Sequence, residues 1–339
     1  MSGLRIALLG ASFVAADRMM PMFGRNGVTV KALYDTDEAR FSLWEEHQIE
    51  LVSSDLEAVL GSGIDAVYVS SRNHQHAEQA IAAAEAGQHI LLEKPMALTM
   101  ADAQAIVGAA RRHGVKLAVN HHLPGGPLHS TVRRLVAEGR IGALYSARIN
   151  HAVLLPQNFR EWRPSTAAGA GVPLDITVHD ASVLNPLFGT DPVRVTALGV
   201  SQAPWNSHRT IDSLMTTIEY AAGDGAPMLA QTHDAFAVPF PGTSMEVHGE
   251  KGAIVVHDAM TPTTAGTVSL HHAAGTVEDV PTGADEDLYS INIRRFKEFL
   301  EDQGAPTATA EEGLKALAVA LAAERSMADG RAISIDELN

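Results

Sequence analysis

"LRIALLGASFVAADRMMPMF", residues 4–23, holds an apolar run that stops at Gly10 and passes at once into residues with helical spacing. A buried strand, a glycine turn and a helix in that order make the first half of a parallel β–α–β unit. The pattern then recurs. "VTVKALYD" (28–35) precedes the helical "TDEARFSLWEEH", and "DAVYVSS" (65–71) precedes the Ala-rich "HQHAEQAIAAAEAG", closed by Gly87. "HILLE" (89–93) precedes "TMADAQAIVGAARRHG", and "VKLAVNHH" (115–122) completes the series. Apolar strands alternating with amphipathic helices predict an α/β fold with a doubly wound parallel sheet over residues 1–121.

Beyond residue 122 the rhythm changes. One helix in "HSTVRRLVAEGRIG" leads into strand-like alternation at 144–155, 193–202, 213–221, 228–238 and 243–258, among Gly and Pro turns. This predicts a second domain over 122–339 built on an open antiparallel or mixed sheet. The terminal "TAEEGLKALAVALAAERSMADG" reads as a helix with Thr309 as its N-cap.

Composition narrows the partners. A formal net charge of −15 repels nucleic acid and anionic membranes, and an aromatic share of 5% leaves little for base stacking. No apolar run approaches the roughly 20 residues of a membrane helix. The chain contains no cysteine, which removes disulfides and thiolate metal sites and suits a cytoplasmic location. The expected partner is a small molecule.

The turn after the first strand matches the dinucleotide pattern G-x-G-x-x-G/A at Gly10, Ser12 and Ala15, with Phe13 and Val14 between. Serine replaces the second glycine; it is small and carries a hydroxyl for a phosphate. Asp35 closes the second strand, where a carboxylate accepts hydrogen bonds from ribose hydroxyls and repels a 2′-phosphate. This favours NAD(H). Arg40 nearby keeps NADP(H) open.

"LLEKPMALTM" (91–100) places Glu93 and Lys94 where the fifth apolar run ends. Ligands of open α/β sheets bind at the carboxyl ends of the strands, so Lys94 can stabilise alkoxide charge there, with Glu93 as its tether. Pro95 fixes the loop by a sharp turn or a cis bond. In "LDITVHDA" (174–181), Asp175 and His179 stand at i and i+4 on one helix face, a pairing that tunes a proton donor or acceptor. His121 and His122 lie at the same sheet edge as Lys94, one to line a substrate cleft and the other structural. His151, His233 and His248 read as cleft-lining or core groups. No histidine spacing supports a metal site.

The order "GASFVA", "EKP", "NHHL", "DITVHD" resembles the glucose-fructose oxidoreductase / inositol dehydrogenase (Gfo/Idh/MocA) family along the whole chain. The resemblance implies an N-terminal Rossmann domain and a C-terminal α/β domain whose large open, mostly antiparallel sheet often makes homo-oligomer contacts. It implies a carbohydrate substrate, Lys94 and His179 as catalytic groups with Asp175 beside them, and a cis bond at Pro95. Ser71, Asn73 and His76 in "SSRNHQH" match a segment lining the nicotinamide, although Ser71 and Arg72 depart from the usual Thr-Pro. His122, Trp162 and Arg163 are the further substrate-binding candidates. A sugar or polyol oxidoreductase leads. An inositol dehydrogenase, an oxidoreductive glycosidase with recycled NAD, and a cofactor-binding regulator without turnover are the alternatives.

Overall fold

The computed structural model describes residues 3–160, 169–223, 225–283 and 286–338. It divides into two compact units, Met1–His122 with Leu288–Leu314, and Leu123–Asp287 with Lys315–Asn339.

The first unit opens with β1 (Leu4–Leu9), a π-helical stretch over Val14–Met19 and α1 (Met20–Arg25). Then come β2 (Val28–Tyr34), β3 (Leu51–Ser53), α2 (Leu56–Leu60), β4 (Ala66–Val69), α3 (His76–Glu85), β5 (His89–Leu92), α4 (Met100–His113) and β6 (Leu117–Val119). All six strands pair in parallel in the order β3-β2-β1-β4-β5-β6. Every residue of β4 and β6 is buried, which is why these strands read as unbroken apolar runs. The strand order reverses between β1 and β4. The carboxyl ends of those two strands therefore flank the crevice in which such sheets take ligands.

The second unit contains α5 (Pro127–Ala137), β7 (Leu144–Ala152), and a π-helical turn over Pro173–Thr177 that runs into α6 (Val178–Phe188). Seven strands follow: β8 (Pro192–Val200), β9 (Ser213–Tyr220), β10 (Met228–Ala235), β11 (Ser244–Gly249), β12 (Gly252–His257), β13 (Thr267–His272) and β14 (Val277–Val280). The chain then returns to the first unit with α7 (Leu288–Leu300), and α8 (Ala310–Asp329) and β15 (Ile333–Ser334) follow. The nine-stranded sheet runs β14-β13-β12-β11-β7-β10-β9-β8-β15 and is antiparallel except where β7 meets β10. One face is buried, with Ala147, Ile149 and His151 of β7 beside Ala230, Thr232 and Asp234 of β10.

Two expectations are corrected. The stretch 243–258 is not one strand but the hairpin β11–β12, turning at Glu250 and Lys251. Alternation continues through both arms, so the pattern alone cannot show the reversal. Residues 288–314, expected in the second domain, complete the first unit instead. Ile293, Phe296 and Leu300 of α7 join Leu4, Ile6, Leu8 and Phe23 in its core. Burying each such side chain contributes about 1.5–3 kcal/mol, enough to commit the helix. The Lys297 ammonium also donates to the Asn26 carbonyl. Thr309 does cap α8: its hydroxyl accepts from the Glu312 N–H (3.2 Å) while the Glu312 carboxylate accepts from the Thr309 N–H (2.6 Å).

Among the described residues, no helix is long and apolar enough to cross a membrane, and no three His, Asp or Glu side chains gather as a metal site.

Candidate active site

The first unit supplies a dinucleotide crevice. Gly10 ends β1 at φ +110°, and a Cβ added there would lie 2.4 Å from the Ser71 nitrogen and 2.5 Å from its Cα. Only glycine lets the ends of β1 and β4 approach this closely. The Ala11 N–H donates to Asp35 Oδ2 (2.7 Å) and the Asp37 N–H to Asp35 Oδ1 (2.9 Å), which fixes the carboxylate at the end of β2. Arg40 donates to the Ala11 carbonyl (3.3 Å), its guanidinium 3.8 Å from Asp35. Ser12 is turned inward. Its hydroxyl accepts from the Ala15 N–H (3.1 Å) and donates to Ser70 (3.0 Å), so it closes the helix entrance. Phe13 is exposed and Val14 half-buried at the start of that helix. The Ser71 hydroxyl is buried without a hydrogen-bond partner among the described residues. A glycine cradle with no room for a side chain, a fixed carboxylate after β2 and an unsatisfied hydroxyl opposite the glycine fit a nicotinamide dinucleotide.

Lys94 follows β5, half-buried, and its bond to Pro95 is cis, one of the two geometries expected. Its neighbours hold the loop. Glu93 is buried and accepts from the Tyr68 hydroxyl (2.6 Å), the Asn120 amide and the Lys94 N–H (3.1 Å). Burial raises the Glu93 pKa, and these donors together with the Lys94 charge pull it back. Asn120 is steadied in turn by the Asn292 amide on α7. His76 begins α3 with Nδ1 2.9 Å from the Pro95 carbonyl and Nε2 3.2 Å from the Ser71 carbonyl. Burial lowers its pKa to about 4, so the ring is neutral and its single N–H donates to one of these two carbonyls. His76 thus sits between the Lys94–Pro95 loop and the end of β4, and its one N–H is spent on a protein carbonyl. Asn73 opens the short 3-10 turn before it.

The two adjacent histidines separate. His122, the substrate-binding candidate, stacks on Tyr289 of α7 with ring centroids 4.5 Å apart. His121 is the one that senses Lys94: burial first, and then that charge, lower its pKa to about 3.

The second unit supplies the other cluster. Asp175 lies in the π-helical turn, half-buried, and His179 in the first turn of α6, buried. The His151 ring on β7 sits 6.3 Å from that of His179. His151 Nδ1 donates to Asp180 Oδ1 (2.6 Å). Asp234 of β10, the register partner of His151, accepts from the Thr177 and Thr232 hydroxyls. The sequence marks Asp180 only as the residue directly after His179 and Asp234 only as a residue of the strand-like run 228–238. His233 contacts Asn150 (3.1 Å) and alternates to the opposite face from Asp234, while His248 lies on β11 beside Glu246. Trp162 and Arg163 lie outside the described residues.

Comparison with known proteins matches this layout. Residues 4–121 match the NAD-binding Rossmann fold of the GFO/IDH/MocA oxidoreductase family, and residues 133–335 match its C-terminal alpha/beta domain. The chain is 38% identical over 335 residues to a 1,5-anhydro-D-fructose reductase of Ensifer adhaerens, covering 98% of both chains. It is 26% identical over 344 residues to inositol 2-dehydrogenase 1 of Saccharopolyspora erythraea, covering 98% of this chain and 96% of the relative. Among solved structures, the aldose-aldose oxidoreductase of Caulobacter crescentus superposes with a TM-score of 0.84 at 23% identity, covering 98% of this chain and 99% of that one. With both family domains matched in order along nearly its full length, the chain belongs to the Gfo/Idh/MocA family of NAD-binding oxidoreductases.

Proposed function

We propose that the chain reduces the ring ketone of a sugar such as 1,5-anhydro-D-fructose, or oxidises the corresponding alcohol, with NAD(H) preferred. The observation that carries this reading is Lys94, held beside a dinucleotide crevice by the buried Glu93 and His76. The bound nicotinamide supplies or takes up the hydride. Lys94 offers positive charge to the substrate oxygen as alkoxide character develops. His179 exchanges the proton with that oxygen, and Asp175 orients the substrate through a hydroxyl. The 38% identity to an anhydrofructose reductase supports the ketone substrate, and the inositol dehydrogenases among the relatives supply the second substrate class.

The cofactor preference rests on Asp35. Its carboxylate is fixed by two backbone N–H groups, so a 2′-phosphate there meets a charge that cannot swing away. A cysteine-free chain suits the cytoplasm. Leu198, Met215 and Leu229, exposed on one face of the large sheet, support pairing with a second copy.

The test is a nicotinamide-fluorescence titration of the wild type and of Lys94→Ala with NADH and NADPH, followed by stopped-flow hydride transfer to the ketose. The expected result is equal NADH binding by both proteins, with transfer lost in Lys94→Ala by about 10²-fold or more. Undiminished transfer in the variant would remove Lys94 from the chemistry.

A further inference from the structure

On the buried face of the nine-stranded sheet, two carboxyl oxygens lack a hydrogen-bond donor among the described residues. Asp180 and Asp234 are fully buried and share neighbours: Thr177, one turn before Asp180, donates to Asp234, and His151, bonded to Asp180, is the register partner of Asp234. Asp180 Oδ1 accepts from His151 Nδ1 at 2.6 Å. Asp234 Oδ2 accepts from the Thr177 and Thr232 hydroxyls. The two remaining oxygens, Asp180 Oδ2 and Asp234 Oδ1, have no hydrogen-bond donor among the described residues. If both groups were ionised, two charges would share a dry interior with an unsatisfied oxygen on each.

We propose that Asp234 is a neutral carboxylic acid that donates its proton to Asp180, and that the chain Asp234–Asp180–His151 is a positioning relay that fixes His151 as its Nδ1–H form beside His179. The assignment of the proton follows from the partners. Asp180 already faces an imidazole N–H and gains most from keeping its charge, whereas Asp234 faces two neutral hydroxyls. Burial raises both carboxyls, Asp180 to about 7 and Asp234 well above the carboxylate range, and the neighbouring Asp180 charge adds to the rise at Asp234.

Among the described residues, no Lys or Arg pairs with either carboxyl. In register with Asp234 on β9 is Leu214, and with Thr232 is Thr216. His151 and Asp234 are themselves register partners across the parallel pair of β7 and β10. Arg148, Asn150, Gln231 and His233 alternate to the other face of the sheet, as does Glu246, the register partner of Arg148 on β11. From α5 comes His129, which burial holds near 4 and therefore neutral, with Arg133 beside it bonded to the Pro124 carbonyl (2.7 Å). The helix carrying Asp180 adds His179 and, one turn earlier, Asp175.

The role of the relay at His179 rests on the functional reading above, but the shared proton does not, so it is tested without substrate. Infrared spectra of the full chain at pH 7.5 are expected to show a protonated-carboxyl C=O band that Asp234→Asn abolishes. Asparagine keeps the donor to Asp180 and the acceptor to both threonines, so this variant retains the geometry. In ¹⁵N-histidine NMR, His151 is expected as the Nδ1–H tautomer. Asp180→Asn is expected to lower the His151 pKa by about one unit or more, because it removes the adjacent carboxylate, while Asp234→Asn moves it by less than about half a unit. Absence of the Asp234-dependent band would overturn the proposal. So would an Asp234→Asn shift at His151 as large as that of Asp180→Asn. Should Asp180→Asn fail to fold, the infrared band and its loss in Asp234→Asn decide alone.

Discussion

Replacing Gly10 by alanine tests the crevice at its tightest point. The new Cβ would lie 2.4 Å and 2.5 Å from Ser71 nitrogen and Cα and 2.8 Å from the Ser70 carbonyl carbon, all backbone atoms. Relief requires the ends of β1 and β4 to part by about 1 Å, against the Ser70 N–H bond to the Leu9 carbonyl (2.8 Å). The backbone at φ +110° adds strain of its own for any residue with a Cβ. Together these place the cost at about 3–5 kcal/mol, a fall in melting temperature of roughly 10 °C for a unit of this size. Gly87→Ala is the matched control. Its φ is +79° with nothing within 4 Å of the added Cβ, so it reports backbone strain alone, about 1–2 kcal/mol. Urea unfolding gives both costs, and NADH titration reads the crevice, where Gly10→Ala is expected to weaken binding at least about tenfold. Equal stability losses in the two variants, with unchanged NADH affinity in Gly10→Ala, would refute the close-approach argument.

Three further outcomes are expected. Tyr68→Phe removes one of the three donors to the buried Glu93 and is expected to cost about 1.5–3 kcal/mol in urea unfolding; a loss under about 0.5 kcal/mol would mean the carboxyl does not depend on that hydroxyl. His76 is held neutral with a pKa near 4, whereas in the unfolded chain it titrates near 6.5. Its contribution is therefore complete above pH 6.5 and is lost as the pH falls toward 4, in all about 3 kcal/mol. His76→Gln should take up about one proton fewer on unfolding between those limits, and an unchanged pH slope would contradict a neutral, buried His76. Asp35→Ser removes the fixed carboxylate and leaves Arg40 in place, so NADPH affinity is expected to rise about tenfold or more relative to NADH. No change in the ratio would show that Asp35 does not select the cofactor.

What could be read from the residues depended on how local the cause was. The parallel sheet showed because β1, β4 and β5 are buried apolar runs set off by turns, and Gly10 marked the crevice because its constraint lies in a single residue. β3 has only three half-buried residues, too few for a pattern. α7 returns to a core built nearly 300 residues earlier, a pairing that no local window contains. Lys94 could be placed from its position after a strand, but the Asn292–Asn120–Glu93–Tyr68 chain that steadies it joins four distant segments. The same holds for Asp234. An aspartate in a strand reads as a solvent-facing residue, and only the register of β10 with β7 and the approach of α6 reveal it as half of a buried carboxyl pair.

The central claim is hydride transfer from a nicotinamide to a sugar ketone at Lys94. Its most direct test follows NADH absorbance after mixing the wild-type chain with 1,5-anhydro-D-fructose. The account predicts NADH oxidation stoichiometric with ketose consumed, slower with NADPH and abolished by Lys94→Ala. NADH that binds tightly yet stays reduced with this ketose, with inositols and with aldoses would contradict it.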